Sequence, residues 1–509
     1  MTSTGLYWRT LRYLKPQQLV YQVWNRLRSQ PRLQPVTLRL VPTGPTLSFP
    51  VSFTCLNQSV TFTNQIDWNY ARFGKLWTYT LTYFDWLDSR VDGLALIHDF
   101  IRQTATIRDG FEPYPTSLRL LNWRAFIRRN GIHDPLIEQH LYQQTALLCT
   151  RLEYHLGGNH LLENACALTV MAIHFRHRPW FTVGAALLRA QLAEQILTDG
   201  GHYERSPVYH QLLTDRLLTV YETLRADTWS NDPELGGYVQ EKVAAMLNWL
   251  VTVTFRDGSV PMVNDAAHGI APTTAQLLAK ARPLNFVPAP VTLTDSGYRM
   301  LTTDRLELFI DVGPVGPDHQ PGHAHADTFS FILHVDGQPL VVDPGTSTYR
   351  AGERRSWERS TAAHNTVTVG GHNSSEVWST FRLGRRAQVQ LHTDTSSCVE
   401  ATHTGYAHLT EQHTRRWTLH GSNTLTITDH VSPGNQPLRA HLYFAHQSGV
   451  TVDQQVILVG PVTIHCTTKG PPPIINQASY DHSLGFNHTV AAPCVSLDFS
   501  TELTTHFST

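Results

Sequence analysis

The chain has 509 residues, 41% of them apolar, with 12 Trp, 18 Tyr and 20 Phe. That length exceeds one ordinary core and that composition excludes a disordered chain. A formal net charge of −1 gives no basis for a general attraction to nucleic acid or to an anionic membrane, and leaves only local charge to consider. The six cysteines, Cys55, Cys149, Cys166, Cys398, Cys466 and Cys494, are scattered without a C-x-x-C pair, which excludes a disulfide framework and a thiolate zinc site.

The N-terminal stretch "MTSTGLYWRTLRYLKPQQLVYQVWNRL" has no uninterrupted apolar core and no small-residue cleavage site. It reads as neither a signal peptide nor a transmembrane span. "LWTYTLTYFDWL" (76–87) and "SLRLLNWRAFI" (117–127) are aromatic-rich and fit helices, either lining a groove or filling a core. From about residue 140 to 256 apolar residues recur at intervals of three and four: Leu213, Leu217, Val220 and Leu224, then Val243, Met246, Leu247, Leu250 and Val251. That is a helical period. "ARPLNFVPAPV" (281–291) reads as a linker because of its prolines. Beyond it the period becomes two. "RLELFIDV" (305–312) alternates, "FSFILHVDGQPLVVD" predicts two strands around Asp336-Gly337, and "RRWTLHGSNTLTITDHV" (415–431) predicts two more around Gly421-Ser422-Asn423. The prediction is a helical domain over 1–283 and an antiparallel β-sandwich over 284–509.

Two groups of residues carry chemistry. In the strand half, "GHAHAD" supplies His323, His325 and Asp327, "LVVDPGT" puts Asp343 at a strand end, and "RSTAAHNTVTV" puts His364 at the start of another strand. If extended, the first stretch points His323, His325 and Asp327 to one side. Two imidazoles and a carboxylate can form a zinc site, move a proton, or face water. In the helical half, "GGNHLLENA" places Asn159 and His160 at a helix start. Glu163 lies three residues after His160, within reach to orient the imidazole. The other reading is helix capping by Asn159. "TDGGHYERSPVYHQLL" holds His202, Tyr203, Arg205, Tyr209 and His210 in a loop that leads into a helix.

In order, "LRYLKPQQLVYQVWNRL", "LWTYTLTYFDWL", "SLRLLNW", "GNHLLENA", "DGGHYERSPVYH", "GHAHADTFSFILHVDGQPLVVDPGT" and "RSTAAHNTVTV" resemble the heparinase II/III-like polysaccharide lyases. That family is similar in build to exo-acting alginate lyases. The resemblance runs to about residue 385 and implies an incomplete (α/α) toroid followed by an antiparallel β-sandwich. It also implies cleavage of a uronic-acid-containing polysaccharide, glycosaminoglycan or related acidic polymer, by β-elimination. On this implication Asn159 and His160 donate to the uronate carboxyl, Tyr209 protonates the leaving oxygen, and His323 is its partner in proton transfer. Arg119 and Arg359 bind anions, Glu163 supports His160, and Tyr203 is the reserve for Tyr209. His325, Asp343 and His364 hold one structural zinc ion, and Asp327 stays outside the ligand set.

Two other functions compete. A glycoside hydrolase on the same toroid needs two facing carboxylates, for which Glu163, Glu204 and Asp265 are available. A non-catalytic carbohydrate-binding protein of polysaccharide assembly needs no proton relay. The expected partner is an acidic polysaccharide or oligosaccharide, less sulfated given the near-neutral charge, with no nucleic acid. The missing leader points to the cytoplasm, whereas the family implies the periplasm or cell envelope.

Overall fold

The computed structural model describes residues 3–28, 33 and 45–509. Helices dominate as far as the turn Arg282–Leu284, and the first strand of the large sheets begins at Tyr298. One early hairpin, Val51–Cys55 with Gln58–Phe62, interrupts the helical half.

The chain divides into two compact units that are not contiguous in sequence. One contains Lys15–Gln195 and Asp215–Val243; the other contains the N-terminal residues through Leu14, Ile196–Thr214 and Ala244–Thr509. The first unit is helical. Pro113–Arg129, Pro135–Thr150, Gly158–His174 and Arg178–Gln195 are its long helices. Pro135 opens its helix at N1 and Asp134 caps it, accepting from the amides of Leu136 and Ile137, so two otherwise orphaned donors are satisfied. Gly184 lets two helices meet, since a Cβ there would lie 2.9 Å from the Thr169 backbone nitrogen. Trp77 and Trp123 are fully buried, so these aromatics fill the core.

The other unit is an antiparallel sandwich. Its largest sheet has eight strands in the order Val389–Asp394, Cys398–His403, Gln412–His420, Thr424–Ser432, Glu502–Ser508, Val462–Thr467, Val456–Val459 and Val450–Asp453. Two four-stranded sheets accompany it. One runs Ile474–Gly485, His488–Phe499, Leu438–Tyr443, Val367–Val369, and the other Tyr298–Thr302, Leu306–Asp311, Phe331–Val335, Gln338–Val341. A single apolar cluster, including Leu308, Phe331, Val367, Trp417, Ile427, Leu497 and Phe507, draws from all three sheets. Both sequence-predicted hairpins form. Asp336 and Gly337 both take positive φ (51° and 73°), as the tight turn between twisted strands requires. The 412–432 pair alternates buried and open positions along both strands.

Ile196–Thr214 belongs with the sandwich for identifiable reasons. The Asp199 carboxylate accepts from the amides of Thr294 and Ser296 and from the Ser296 hydroxyl. Arg205 donates to the carbonyls of Ser296 and Asp295.

Candidate functional site

The sandwich unit assembles its site around a residue that the motifs did not single out. Asp265 is fully buried, and both its oxygens are used. Oδ2 lies 3.0 Å from His323 Nδ1, and Oδ1 lies 2.9 Å from His325 Nε2. Arg355 grips the same carboxylate with both terminal nitrogens, Nη2 at 2.7 Å from Oδ2. Burial alone would push this carboxyl up, but Arg355 and the two imidazoles outweigh it and hold Asp265 well below the usual carboxylate range. The expected common face of His323, His325 and Asp327 is not what forms. Residues 322–327 are an irregular loop, not a strand. It brings the two histidines onto the two oxygens of one carboxylate, while Asp327 faces elsewhere.

The backbone explains how. Asn264 takes φ 57°, a left-handed conformation that Asn tolerates. Its side-chain oxygen accepts from the His325 amide, and its amide donates to the Arg205 carbonyl and the Tyr298 hydroxyl. The Asp265 amide donates to the His323 carbonyl. The two segments are thus held backbone to backbone before their side chains meet.

Tyr209 sits in the first turn of helix Pro207–Ala226, which opens with a proline. Its ring stacks on His323 with centroids 3.9 Å apart, and its hydroxyl lies 3.1 Å from that of Tyr349. Burial, with the charges of Asp265 and Glu204, pushes the Tyr209 hydroxyl upward; Tyr349 and Arg355 oppose this but do not reverse it. The phenol is therefore protonated at neutral pH. The other ring nitrogen of His323, Nε2, lies 3.4 Å from Glu204 Oε2. Tyr349 packs near this pair, with the Arg355 guanidinium 4.9 Å from its ring. Tyr203 is buried, its ring 5.9 Å from that of His319. His210 serves the fold: its Nε2 meets the Met246 carbonyl, and burial lowers it to about 4.

The expected metal residues are all buried. His364 Nδ1 is 2.7 Å from Asp343 Oδ2, and the His325 and His364 rings are 5.3 Å apart. As the side chains stand, no three His, Cys, Asp or Glu groups among the described residues converge to hold an ion. His325 Nδ1, His364 Nε2 and Asp327 Oδ2 are nevertheless buried without a hydrogen-bond partner. His364 is held above its ordinary value: burial opposes this, but Asp343, Asp327 and Asp311 prevail. Burial raises Asp327 to about 6.

In the helical unit His160 does not pair with Glu163. Its Nδ1 faces Glu153 at 3.1 Å, and its ring stacks on Tyr114 at 4.1 Å. Glu163 instead accepts from Arg216 Nε at 2.8 Å. Residues three apart on a helix can meet, but a buried carboxylate takes the stronger, charged donor. Asn159 is buried within the first turn, and Gly157 occupies the cap position, so the capping reading of Asn159 does not apply.

Arg119 and Arg359 depart from the anion-binding role expected of them. Arg119 spends its donors on Gln144, Thr116 and the carbonyls of Thr82 and Gly110. Arg359 spends its own on the carbonyls of Ala324, Ser379 and Arg382. Both are fully buried, and burial lowers them to about 9 and about 10. They brace backbone, Arg359 beneath the His323 loop.

Sequence reasoning missed Arg355 and Tyr349 and weighed Asp265 and Glu204 only as hydrolase carboxylates. The usable signal was a buried-type Asn-Asp pair in "VNDAAH", but nothing in its spacing names a histidine partner.

A heparinase II/III N-terminal profile matches residues 119–283, and a heparinase II/III-like C-terminal profile matches residues 287–468. A heparin-sulfate lyase of Pedobacter heparinus is 23% identical over 339 residues, covering 59% of this chain and 49% of the relative. One of Bacteroides stercoris is 24% identical over 264 residues, covering 45% and 38%. The chain thus spans about half or less of the relatives it matches. Among solved structures, heparinase III superposes with a TM-score of 0.70 at 14% identity, over 87% of this chain and 79% of that one. A mutant heparan sulfate lyase from Pedobacter heparinus gives 0.64 at 17%, over 89% and 79%. These likenesses establish the fold, an incomplete (α/α) toroid with an antiparallel β-sandwich. With both profiles matched in order over most of its length, the chain belongs to the heparinase II/III-like family.

Proposed function

We propose that this protein is a polysaccharide lyase that cleaves a uronic-acid-containing polymer of the glycosaminoglycan class by β-elimination, leaving an unsaturated uronate end. The observation that carries the reading is Tyr209, a protonated phenol stacked on His323, whose imidazole Asp265 holds in place. In the elimination the C5–H bond and the C4–O bond break and a C4=C5 double bond forms. One group takes the C5 proton and one returns a proton to the leaving oxygen. Tyr209 retains its proton and suits the second task. His323 partners it, and the uronate epimer decides which of the two takes the first proton. The same reading gives Asn159 and His160 hydrogen bonds to the uronate carboxylate, which lower the cost of charge developing beside it. The names of the relatives, heparin-sulfate lyases, support the reaction class.

A single zinc ion on His325, Asp343 and His364 belongs to the same proposal. The residues fit it: the buried nitrogens His325 Nδ1 and His364 Nε2 lack hydrogen-bond partners, and the Asp343 carboxylate lies 2.7 Å from His364. When bound, the ion ties together the chain segments that carry its ligands; His323, on the loop of His325, handles the proton.

The hydrolase reading is less well supported. Asp265 is committed to Arg355 and two histidines, and Glu163 to Arg216, so neither carboxylate is open to protonate a sugar oxygen or activate water. A polysaccharide panel tests the proposal. New ultraviolet absorbance with chain cleavage supports a lyase, reducing ends without absorbance a hydrolase, and binding without cleavage an assembly protein.

A further inference from the structure

Two N-terminal helices are built inside out. A helix on a protein surface normally docks through its apolar stripe and shows its polar face to water. Pro16–Leu27 does the reverse. Its docking side is polar: Gln18 donates to the Leu156 carbonyl, Asn25 meets His155 Nδ1, Arg28 donates to the Thr150 carbonyl, and Tyr21 packs on Tyr154. Its outward side carries Leu19, Val20 (63% exposed), Val23, Trp24 (53%) and Leu27 (78%). These five residues fall within an arc of about 140° on the helix. Ser3–Leu11 has the same character. Arg9 pairs with Glu376, Thr10 accepts from Trp378 and the Tyr7 ring meets Trp378 edge-on, while Trp8 (70% exposed) and Leu11 face outward.

Charge names the occupant. Up to Ile66 the chain has Arg9, Arg12, Lys15, Arg26, Arg28, Arg32 and Arg39 and not one acidic residue, in a protein whose net charge is −1. Arg9 and Lys15 are used in ion pairs with Glu376 and Glu194, but Arg12 and Arg26 are exposed beside the apolar faces. Tryptophan next to aliphatic residues and arginine is the composition of a helix lying in a membrane interface. Neither helix could cross a bilayer, having 9 and 12 residues. A twofold dimer through either face would set arginine against arginine with no nearby acid in this segment to offset it.

We propose that helix Pro16–Leu27 seats the protein on an anionic phospholipid surface, with Trp24 and its aliphatic neighbours entering the interfacial layer and Arg26 meeting the headgroups. The test is flotation of the full-length protein with vesicles of phosphatidylcholine containing about one quarter phosphatidylglycerol, against phosphatidylcholine alone. The expected result is flotation with the anionic vesicles, weakened by high salt and reduced at least about ten-fold by Val20→Asp with Trp24→Asp. Leu27→Asp is the second variant, and circular dichroism verifies that each is folded. Absence of flotation, or flotation unchanged in both folded variants, overturns the proposal. So does a lipid-free dimer, seen by light scattering, that these variants convert to monomer, because the face would then bind a second copy.

Discussion

Asp265→Asn tests the centre of the site without changing its shape. The carboxylate meets Arg355, His323 and His325, all by charge-assisted or hydrogen-bonded contacts, in a fully buried position. An amide retains one acceptor oxygen but turns an NH2 toward partners that are themselves donors. Arg355 stays cationic in the variant because a guanidinium is effectively always protonated, but burial then acts on it without the opposing charge of Asp265. Leaving one member of a buried pair alone typically costs about 3–5 kcal/mol, and that is the expected loss of stability. Turnover should fall by about 10²–10⁴-fold as His323 loses the group that orients it. The assay is urea unfolding of wild type, Asp265→Asn, Arg355→Met and the double variant. The double variant should be more stable than additivity predicts by at least about 1 kcal/mol, since it removes both charges. Additive losses, or Asp265→Asn melting like wild type with full turnover, would refute the reasoning. The acid response has a defined sign. The folded pKa of Asp265 lies well below 3.8, so its contribution is present above the usual carboxylate range and is lost only as the pH falls through that depressed value.

Other outcomes follow from the same geometry. Tyr209→Phe removes one hydroxyl whose neighbour is Tyr349 at 3.1 Å; fold and substrate binding should persist while elimination drops about 10²–10⁴-fold, and wild-type turnover would move the role to Tyr203 or Tyr349. His323→Ala should give a folded, metal-containing, inactive protein, whereas His325→Ala, Asp343→Ala and His364→Ala should lose metal and thermal stability together; metal analysis with melts in chelator decides, and a wild type without stoichiometric metal defeats the assignment. Burial lowers His140 to about 3 and both His210 and His441 to about 4. Each must stay neutral in the folded state, so the unfolded chain binds more protons once the pH drops below about 6.5. Stability should be full above that pH and decline toward pH 4, by up to about 1.4 kcal/mol per pH unit for each histidine. A melting temperature flat from pH 7 to 4.5 would contradict this.

The sequence by itself determined the order of helices and strands and both hairpins. Periods of 3.6 and 2 and the turn preferences of Asp-Gly are properties of a few neighbouring residues, so they are legible without the rest of the chain. The motif resemblance also reached Tyr209 and His323, which the fold does bring into contact. Which partner each polar side chain takes was decided only in three dimensions. His160 had Glu163 three residues away yet meets Glu153, because Arg216 claims the nearer carboxylate. Arg119 and Arg359 looked like anion binders, but their surroundings offered unsatisfied carbonyls in a buried setting, and a guanidinium's five donors go where those carbonyls are. Asp265 is 58 and 90 positions from His323 and Arg355. No local period records a contact across that separation; it exists because Asn264 and the 322–327 loop bond backbone to side chain and fix Asp265 between two histidines and an arginine.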